Sequence, residues 1–397
     1  MRERIRGAFP WTGVKCLTTD SRRIESLDTP CLLLDAGRMN GNIARLKSHL
    51  QSLGVPLRPH LKTCKSVEVA RLLMPTPAGP ATVSTLKEAE QFAAAGVRDI
   101  LYAVGIAPAK LSRVIALRRS GVDLTIVLDS REQAQAVVAA CQQARERIPV
   151  LIEVDADCDR AGVRPDDSAL VEIGRLLHSG GAELRGVMTH AGGSYNHPGV
   201  DALAAAAEQE RAAAVSSAEA LRKAGLPSPV VSVGATPTAH FARDLTGVTE
   251  VRAGVFVFFD LVMAGLGVCT QDDIALSVLS TVIGHQRERG WILVDSGWMA
   301  LSQDRGTHHQ SLDQGYGVVC NAQGRPYPDL IVHNVNQEHG VVSLREGSSA
   351  ALPDLPIGTL VRILPSHACA TAAHFDRYHV VREGNRVAEF WPRFSGW

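Results

Sequence analysis

Near the end of the chain, "LPSHACAT" (364–371) sets His367 and Cys369 one residue apart. Imidazole and thiolate both suit zinc, but a closed structural site needs four ligands; two would leave positions for water or substrate. The plain alternative is a buried free cysteine beside an unrelated histidine. A second candidate is Lys62 in "LRPHLKT" (57–63), with Arg58 and His60 four and two residues before it on one face of an extended segment. Cationic neighbours would make its amine a better nucleophile; the alternative is a surface lysine at a strand end. Gly234 and Thr236 in "SVGATPT" (232–238), and Gly254 and Val255 in "RAGVF" (252–256), offer close backbone approach and a hydroxyl, which suits a phosphate. "EVDADCDRAGV" (153–163) offers Arg160, and "THAGGSYNH" (189–197) offers His190 and Tyr195. "NVNQEHG" (334–340) clusters Gln337, Glu338 and His339, where a polar turn is the alternative.

These residues need a scaffold that gathers them. After residue 55, short β-branched runs begin near 57, 81, 99, 124, 149, 184, 229 and 250, mostly separated by Ala- and Leu-rich helical stretches. Eight alternating units predict a parallel (β/α)8 barrel, with an open doubly wound sheet as second choice. No GxGxxG follows the first strand, which weighs against a dinucleotide fold. In such a barrel, chemistry sits where strands end, and the loops after strands seven and eight recur as phosphate sites. That places Gly234, Thr236 and Gly254 where a phosphate belongs. Beyond about residue 270, short alternating runs between Gly, Pro and Asp turns predict a mostly β domain. The expected organisation is an N-terminal extension over 1–27, a barrel domain over 28–270 and a β-rich metal-binding domain over 271–397. "TPCLLLD" (29–35) precedes the barrel strands and could pair with the C-terminal sheet instead.

Bulk composition narrows the function. Lys+Arg and Asp+Glu both number 41, so no basic surface for nucleic acid or membrane is expected. The eight cysteines show no CxxC pairing, and the N-terminal arginines are not followed by an apolar core. Reduced thiols and a cytoplasmic location are the expectation. The longest apolar run, "AGVFVFFDLVMAGLGV" (253–268), carries Asp260 and is too short to span a bilayer.

Taken in order, "TPCLLLDAGRMNGNIARL", "LRPHLKTCKS", "EVDADCDRAGV", "THAGGSY", "VSVGATPT", "EVRAGVFVFFD", "NQEHG" and "LPSHACAT" resemble the fold-type III pyridoxal-phosphate enzymes with an alanine-racemase-like barrel. Within them the chain is similar to the D-serine dehydratase / D-threonine aldolase branch, with the texture of the bacterial D-threo-3-hydroxyaspartate dehydratases. The resemblance covers roughly residues 28–397. It implies that Lys62 forms the Schiff base with pyridoxal phosphate and acts as the base. It implies that the backbone around Gly234–Thr236 and Gly254–Val255 holds the phosphate. Arg252, in Arg-Ala-Gly-Val where related racemases have Arg-Pro-Gly-Ile, is implied to face the pyridine nitrogen. Tyr195, His60 and Arg160 are expected beside the cofactor, and Gln337, Glu338 and His339 near the substrate.

His367 and Cys369 match the dehydratases' zinc ligands. The aldolases carry a carboxylate in place of Cys369 and favour manganese-like ions. The implied reaction is therefore PLP- and zinc-dependent β-elimination of a D-3-hydroxy amino acid (D-threo-3-hydroxyaspartate or D-serine) to a 2-oxo acid and ammonia, in a homodimer. Aldol cleavage to glycine is the alternative. A PLP-homeostasis protein is the non-enzyme alternative, although those relatives lack a C-terminal β domain. A racemase has no use for a zinc pair, and a metallohydrolase barrel would need several His/Asp ligands on its strands.

Overall fold

The computed structural model describes residues 22–397; residues 1–21, which include Cys16 and most of the expected extension, lie outside the described residues. Eight parallel strands form one sheet: Leu57–Pro59, Ala81–Val83, Asp99–Gly105, Asp123–Leu128, Pro149–Val154, Glu183–Thr189, Val230–Val233 and Glu250–Ala253. The last pairs with the first, Val251 opposite Leu57. The first and second meet through a parallel bridge between His60 and Thr82, reinforced by Leu61 N–H donating to the Thr82 carbonyl at 2.8 Å. The sheet therefore closes on itself as a (β/α)8 barrel.

Alternation along the strands sorts side chains between two environments. Ile100 and Tyr102 pack outward into the main core, whereas Leu101 joins Val127, Leu151 and Met188 in a separate cluster that fills the lumen. Below that layer Arg58 spans the floor of the barrel. It pairs with Asp99 at 2.8 Å and Glu250 at 2.6 Å, and its side chain is only 14% exposed.

The outer helices begin where the sequence supplies caps. The Thr85 hydroxyl accepts from Glu88 N–H at 3.0 Å, and the Ser130 hydroxyl from Gln133 N–H at 3.2 Å. Helix Ala36–Ser52, capped by Asp35, lies before the barrel in sequence but packs beside Thr236–Phe241 and Val255–Val257. It fills the outer layer where the last strand is followed only by short turns.

The second sheet has ten strands. Six of them, beginning with Leu276–Gln286 and ending with Leu360–Pro365, form a closed cycle because those two also pair with each other. Strand Cys31–Asp35 pairs antiparallel with Leu276–Gln286 and parallel with Arg377–Arg382. The segment preceding the barrel is thus built into the C-terminal sheet, and Arg22–Arg23 joins its edge against Arg386–Pro392. One continuous core runs through barrel and β domain. Among the described residues no helix is long and apolar enough to cross a membrane.

The two sheets meet at the rim of the first barrel strand. The Tyr378 hydroxyl donates to the Cys64 carbonyl at 2.7 Å. The buried Arg393 guanidinium donates to Cys64 O at 3.2 Å, Tyr378 Oη at 2.8 Å and Phe375 O at 2.8 Å, and also to Ala372 O. Leaving such buried acceptors unpaired costs about 1–3 kcal/mol each. Arg393→Met should lower the urea-measured unfolding free energy by about 3 kcal/mol. A loss under about 0.5 kcal/mol, the scale of a neutral surface change, would show that the contact contributes little.

Candidate active site

A cavity of about 880 Å³ opens at the C-terminal rim of the barrel, where the β domain leans over it. Lys62 projects into it from the turn that follows the first strand. That strand ends at Pro59, and the turn closes with Lys65 N–H donating to Leu61 O at 2.9 Å. Arg58 and His60 share the inward face of the strand, as expected, but at different depths. Arg58 is engaged by Asp99 and Glu250 at the floor, while His60 and Lys62 line the cavity. Two residues of extended chain separate Arg58 from His60 in depth, so Arg58 reaches acids at the strand starts while His60 reaches the rim. His60 shares a hydrogen bond with Ser84 Oγ at 2.9 Å. Burial, then the charges of Lys62 and Arg252, holds it well below the ordinary histidine range.

Two strands round the rim lie Gly234 and Thr236. Gly234 has φ +144°, and a Cβ there would run into the Arg252 backbone, so only glycine fits. Glu210, fully buried, holds this loop. Its Oε1 accepts Gly234 N–H at 3.0 Å and Ala191 N–H at 2.9 Å, and its Oε2 accepts the Thr238 hydroxyl at 2.7 Å. The Thr236 hydroxyl is buried and finds no partner among the described residues. With Gly254 and Val255 also on the lining, this is a side-chain-poor cradle with an orphaned donor, which suits a phosphate group. Arg252 sits beneath, buried, with Nε donating to Ser232 Oγ at 2.9 Å and the guanidinium also donating to the Thr189 carbonyl.

Tyr195 and His190 come from the segment after the sixth strand. Burial pushes the Tyr195 phenol up, keeping it protonated. His190 Nδ1–H donates to Gly234 O at 2.9 Å. Burial first, then the charges of Lys62 and Arg252, outweigh that bond and push His190 down to about 3. Arg160 also lines the cavity, 60% exposed and 3.6 Å from buried Glu153.

From the β domain come His367 and Cys369. Strand Leu360–Pro365 ends at the proline, and His367 precedes the short helix Ala368–Ala372. Buried Asp260 holds that helix in place. Its Oδ2 accepts Ala368 N–H at 2.9 Å while its Oδ1 caps Met263 N–H at 3.0 Å. The Asp304 carboxylate takes Nδ1–H of His367 at 2.6 Å, which leaves Nε2 for the cavity. Burial opposes charge on His367, but Asp304 and Cys369 prevail and push it up to about 11. The same pairing lowers Cys369 against the effect of its burial. A divalent cation would take this pair as thiolate and neutral imidazole, displacing the imidazole's proton, and both donors suit zinc. Among the described residues no group of three or more His, Cys, Asp or Glu is placed to hold a metal.

The structure brings together Lys62, His60, Arg160, His190, Tyr195, Gly234, Thr236, Arg252, Gly254, Val255, His367 and Cys369. It does not bring Gln337, Glu338 and His339, which form an exposed turn between strands Pro326–Val335 and Gly340–Leu344. Arg305, a further cation of the β domain, pairs with Asp313 and does not line the cavity. Sequence reasoning missed Ser84, Glu153, Asp304, His309 and Gln310. It also passed over the roles of Asp260 and Glu210. For Asp260 a signal existed: a lone acid inside a long apolar run needs partners.

His190 carries a pH prediction. Unfolded, it takes up a proton near pH 6.5; folded, only near 3, so its contribution to stability is present above pH 6.5 and fades as pH falls towards 3. His190→Asn should flatten the acid side of the urea-measured stability profile by up to about 1 kcal/mol per pH unit. An unchanged slope would contradict its burial in the neutral form.

Comparison with known proteins agrees with this layout. Residues 34–262 match the family "Alanine racemase, N-terminal domain", and residues 275–381 match the "Putative serine dehydratase domain". The chain is 53% identical to the D-threo-3-hydroxyaspartate dehydratase of Delftia sp. (strain HT23) over 94% of its own length and 98% of that protein's. It is 29% identical to the D-threonine aldolase of Arthrobacter sp. over 92% of each. A solved structure of a cysteine-to-alanine mutant of D-threo-3-hydroxyaspartate dehydratase, in the metal-free form, superposes with TM-score 0.91 at 52% identity, covering 95% of this chain and 100% of that one.

Proposed function

This chain belongs to the family that joins an alanine racemase N-terminal domain to a serine dehydratase domain, and from that premise we propose that it is a pyridoxal-phosphate- and zinc-dependent lyase. Its reaction is removal of water from a D-3-hydroxy amino acid, D-threo-3-hydroxyaspartate or D-serine, with release of a 2-oxo acid and ammonia. The observation that carries this reading is that Lys62 and the His367/Cys369 pair, from different domains, line one cavity.

Pyridoxal phosphate, bound there, supplies an electron sink for the charge left at the substrate's Cα. A divalent ion supplies a Lewis acid for the hydroxyl, a poor leaving group. The chain's residues do the rest. Lys62 would hold the cofactor through its amine, and the same amine is placed to move the Cα proton. The Gly234–Thr236 and Gly254–Val255 backbone holds the phosphate, with the Thr236 hydroxyl as a further donor. Arg252 and Arg160 face the cofactor ring, and neutral His60 and His190 pack around it without adding charge. Tyr195 closes the wall between the phosphate cradle and Cys369. His367 and Cys369 hold the zinc, and Asp304 fixes the imidazole with Nε2 outward. A homodimer acting on a small D-amino acid completes the proposal. A second carboxylate on the substrate's β-carbon would call for a cation, and of Arg58, Arg160 and Arg305 it is Arg160 that lines the cavity.

Aldol cleavage to glycine is the second reading, supported by the D-threonine aldolase relative. Cys369 favours dehydration, since a thiolate suits zinc and a carboxylate suits harder ions.

Two experiments decide. Lys62→Ala should lose the visible absorbance of the bound cofactor and its borohydride-reducible adduct; an adduct on another lysine would move the anchor elsewhere. Incubation with D-threo-3-hydroxyaspartate, D-serine and D-threonine should yield ammonia and a 2-oxo acid, and a chelator should stop this while the cofactor stays bound. Glycine and an aldehyde as products would replace dehydratase by aldolase. Full turnover in metal-free protein would remove the zinc.

A further inference from the structure

Thr63 follows Lys62 in the same turn and is fully buried. Its hydroxyl oxygen lies 3.2 Å from Cys369 Sγ, across 306 residues of sequence. The next residue of the turn, Cys64, gives its carbonyl to Tyr378 and Arg393, and Lys65 gives its carbonyl to Phe394 N–H at 3.0 Å. The β domain thus grips the turn through main-chain carbonyls, and Thr63 adds a side-chain contact that reaches a candidate metal ligand. Gly254 guards the space. A Cβ there would sit 3.3 Å from the Thr63 hydroxyl and 3.0 Å from the His60 carbonyl, crowding the position the hydroxyl needs.

We propose that Thr63 is a positioning residue for the reaction, its hydroxyl donating to the Cys369 sulfur and tying the metal's thiolate ligand to the turn that carries Lys62. The inference rests on reading His367 and Cys369 as the metal site. A metal-bound cysteine sulfur has no proton of its own, so the hydroxyl must be the donor. That bond draws electron density from the sulfur and holds its rotamer, the usual work of a group just behind a metal ligand. It also sets the separation between the amine that moves the Cα proton and the ion that receives the hydroxyl. The two jobs of elimination are thereby held at one distance by adjacent residues of a single turn.

The test uses the cofactor-loaded protein with cobalt(II) in place of the native ion, read by the thiolate-to-cobalt charge-transfer band in the near ultraviolet. Wild type should show the band, and Cys369→Ala should lose it. Thr63→Val keeps the volume but removes the donor, so the band should move to longer wavelength as the sulfur becomes a stronger donor. Thr63→Ser keeps the hydroxyl and should leave the band in place. Should the valine variant not fold, Thr63→Ala carries the same expectation. A band unmoved by loss of the hydroxyl overturns this role for Thr63 while the metal site stands. A wild type without the band, or a band that survives Cys369→Ala, removes the metal site and this inference with it.

Discussion

Everything at this site depends on how one five-residue turn is held. Leu61 to Lys65 leave the first barrel strand, close through a single backbone hydrogen bond, and present Lys62 to the cavity. Such a turn has few internal restraints. The Cys64 carbonyl is taken by Tyr378 and Arg393 and the Lys65 carbonyl by Phe394, from the last strand pair and the residues just after it. Arg393 is buried and carries a charge that is acceptable there because four oxygens receive it. The same contacts that join the two domains therefore place the amine of Lys62 relative to His367 and Cys369.

Two buried carboxylates perform a parallel task elsewhere on the rim. Glu210 gathers the backbone after the sixth and seventh strands, and Asp260 ties the segment after the eighth strand to the helix behind His367. Burial raises the proton affinity of both, yet each is turned onto backbone N–H groups that favour the charged form. These carboxylates act as fasteners between loops. His60 and His190, which face the cavity, are held neutral by burial and so add no charge there.

Much of the barrel was legible because its signals are local. Most strands are short apolar runs, several helices have a cap or a glycine stop, and eight repeats leave few ways to close. That Gly234 and Gly254 line one cavity was legible for a similar reason: glycines mark places where backbone must come close, and strand number places them together. The strand ends were less legible. Extended geometry stops at Pro59 and Val233, earlier than the apolar runs suggest, because the rim turns recruit the last residues for the cavity. Arg58 is kept from Lys62 by depth, since Asp99 and Glu250 hold it at the barrel floor. The cluster Gln337–His339 looked chemical by composition alone, and its exposure follows from lying at the tip of a tight connection between paired strands.

By itself the sequence determined the fold class, the order of its parts and the residue types able to do chemistry, since these follow from short-range periodicity and from side-chain identity. Only the tertiary structure decided which of them meet. Lys62 and Cys369 stand 307 positions apart, and nothing in either neighbourhood encodes the other. Their proximity comes from strand Cys31–Asp35 crossing into the C-terminal sheet and from the Arg393 clamp, which are long-range pairings selected by burial and hydrogen-bond satisfaction across the whole chain. Asp304 became visible only in the same way, as the carboxylate that the folded loop lays against His367.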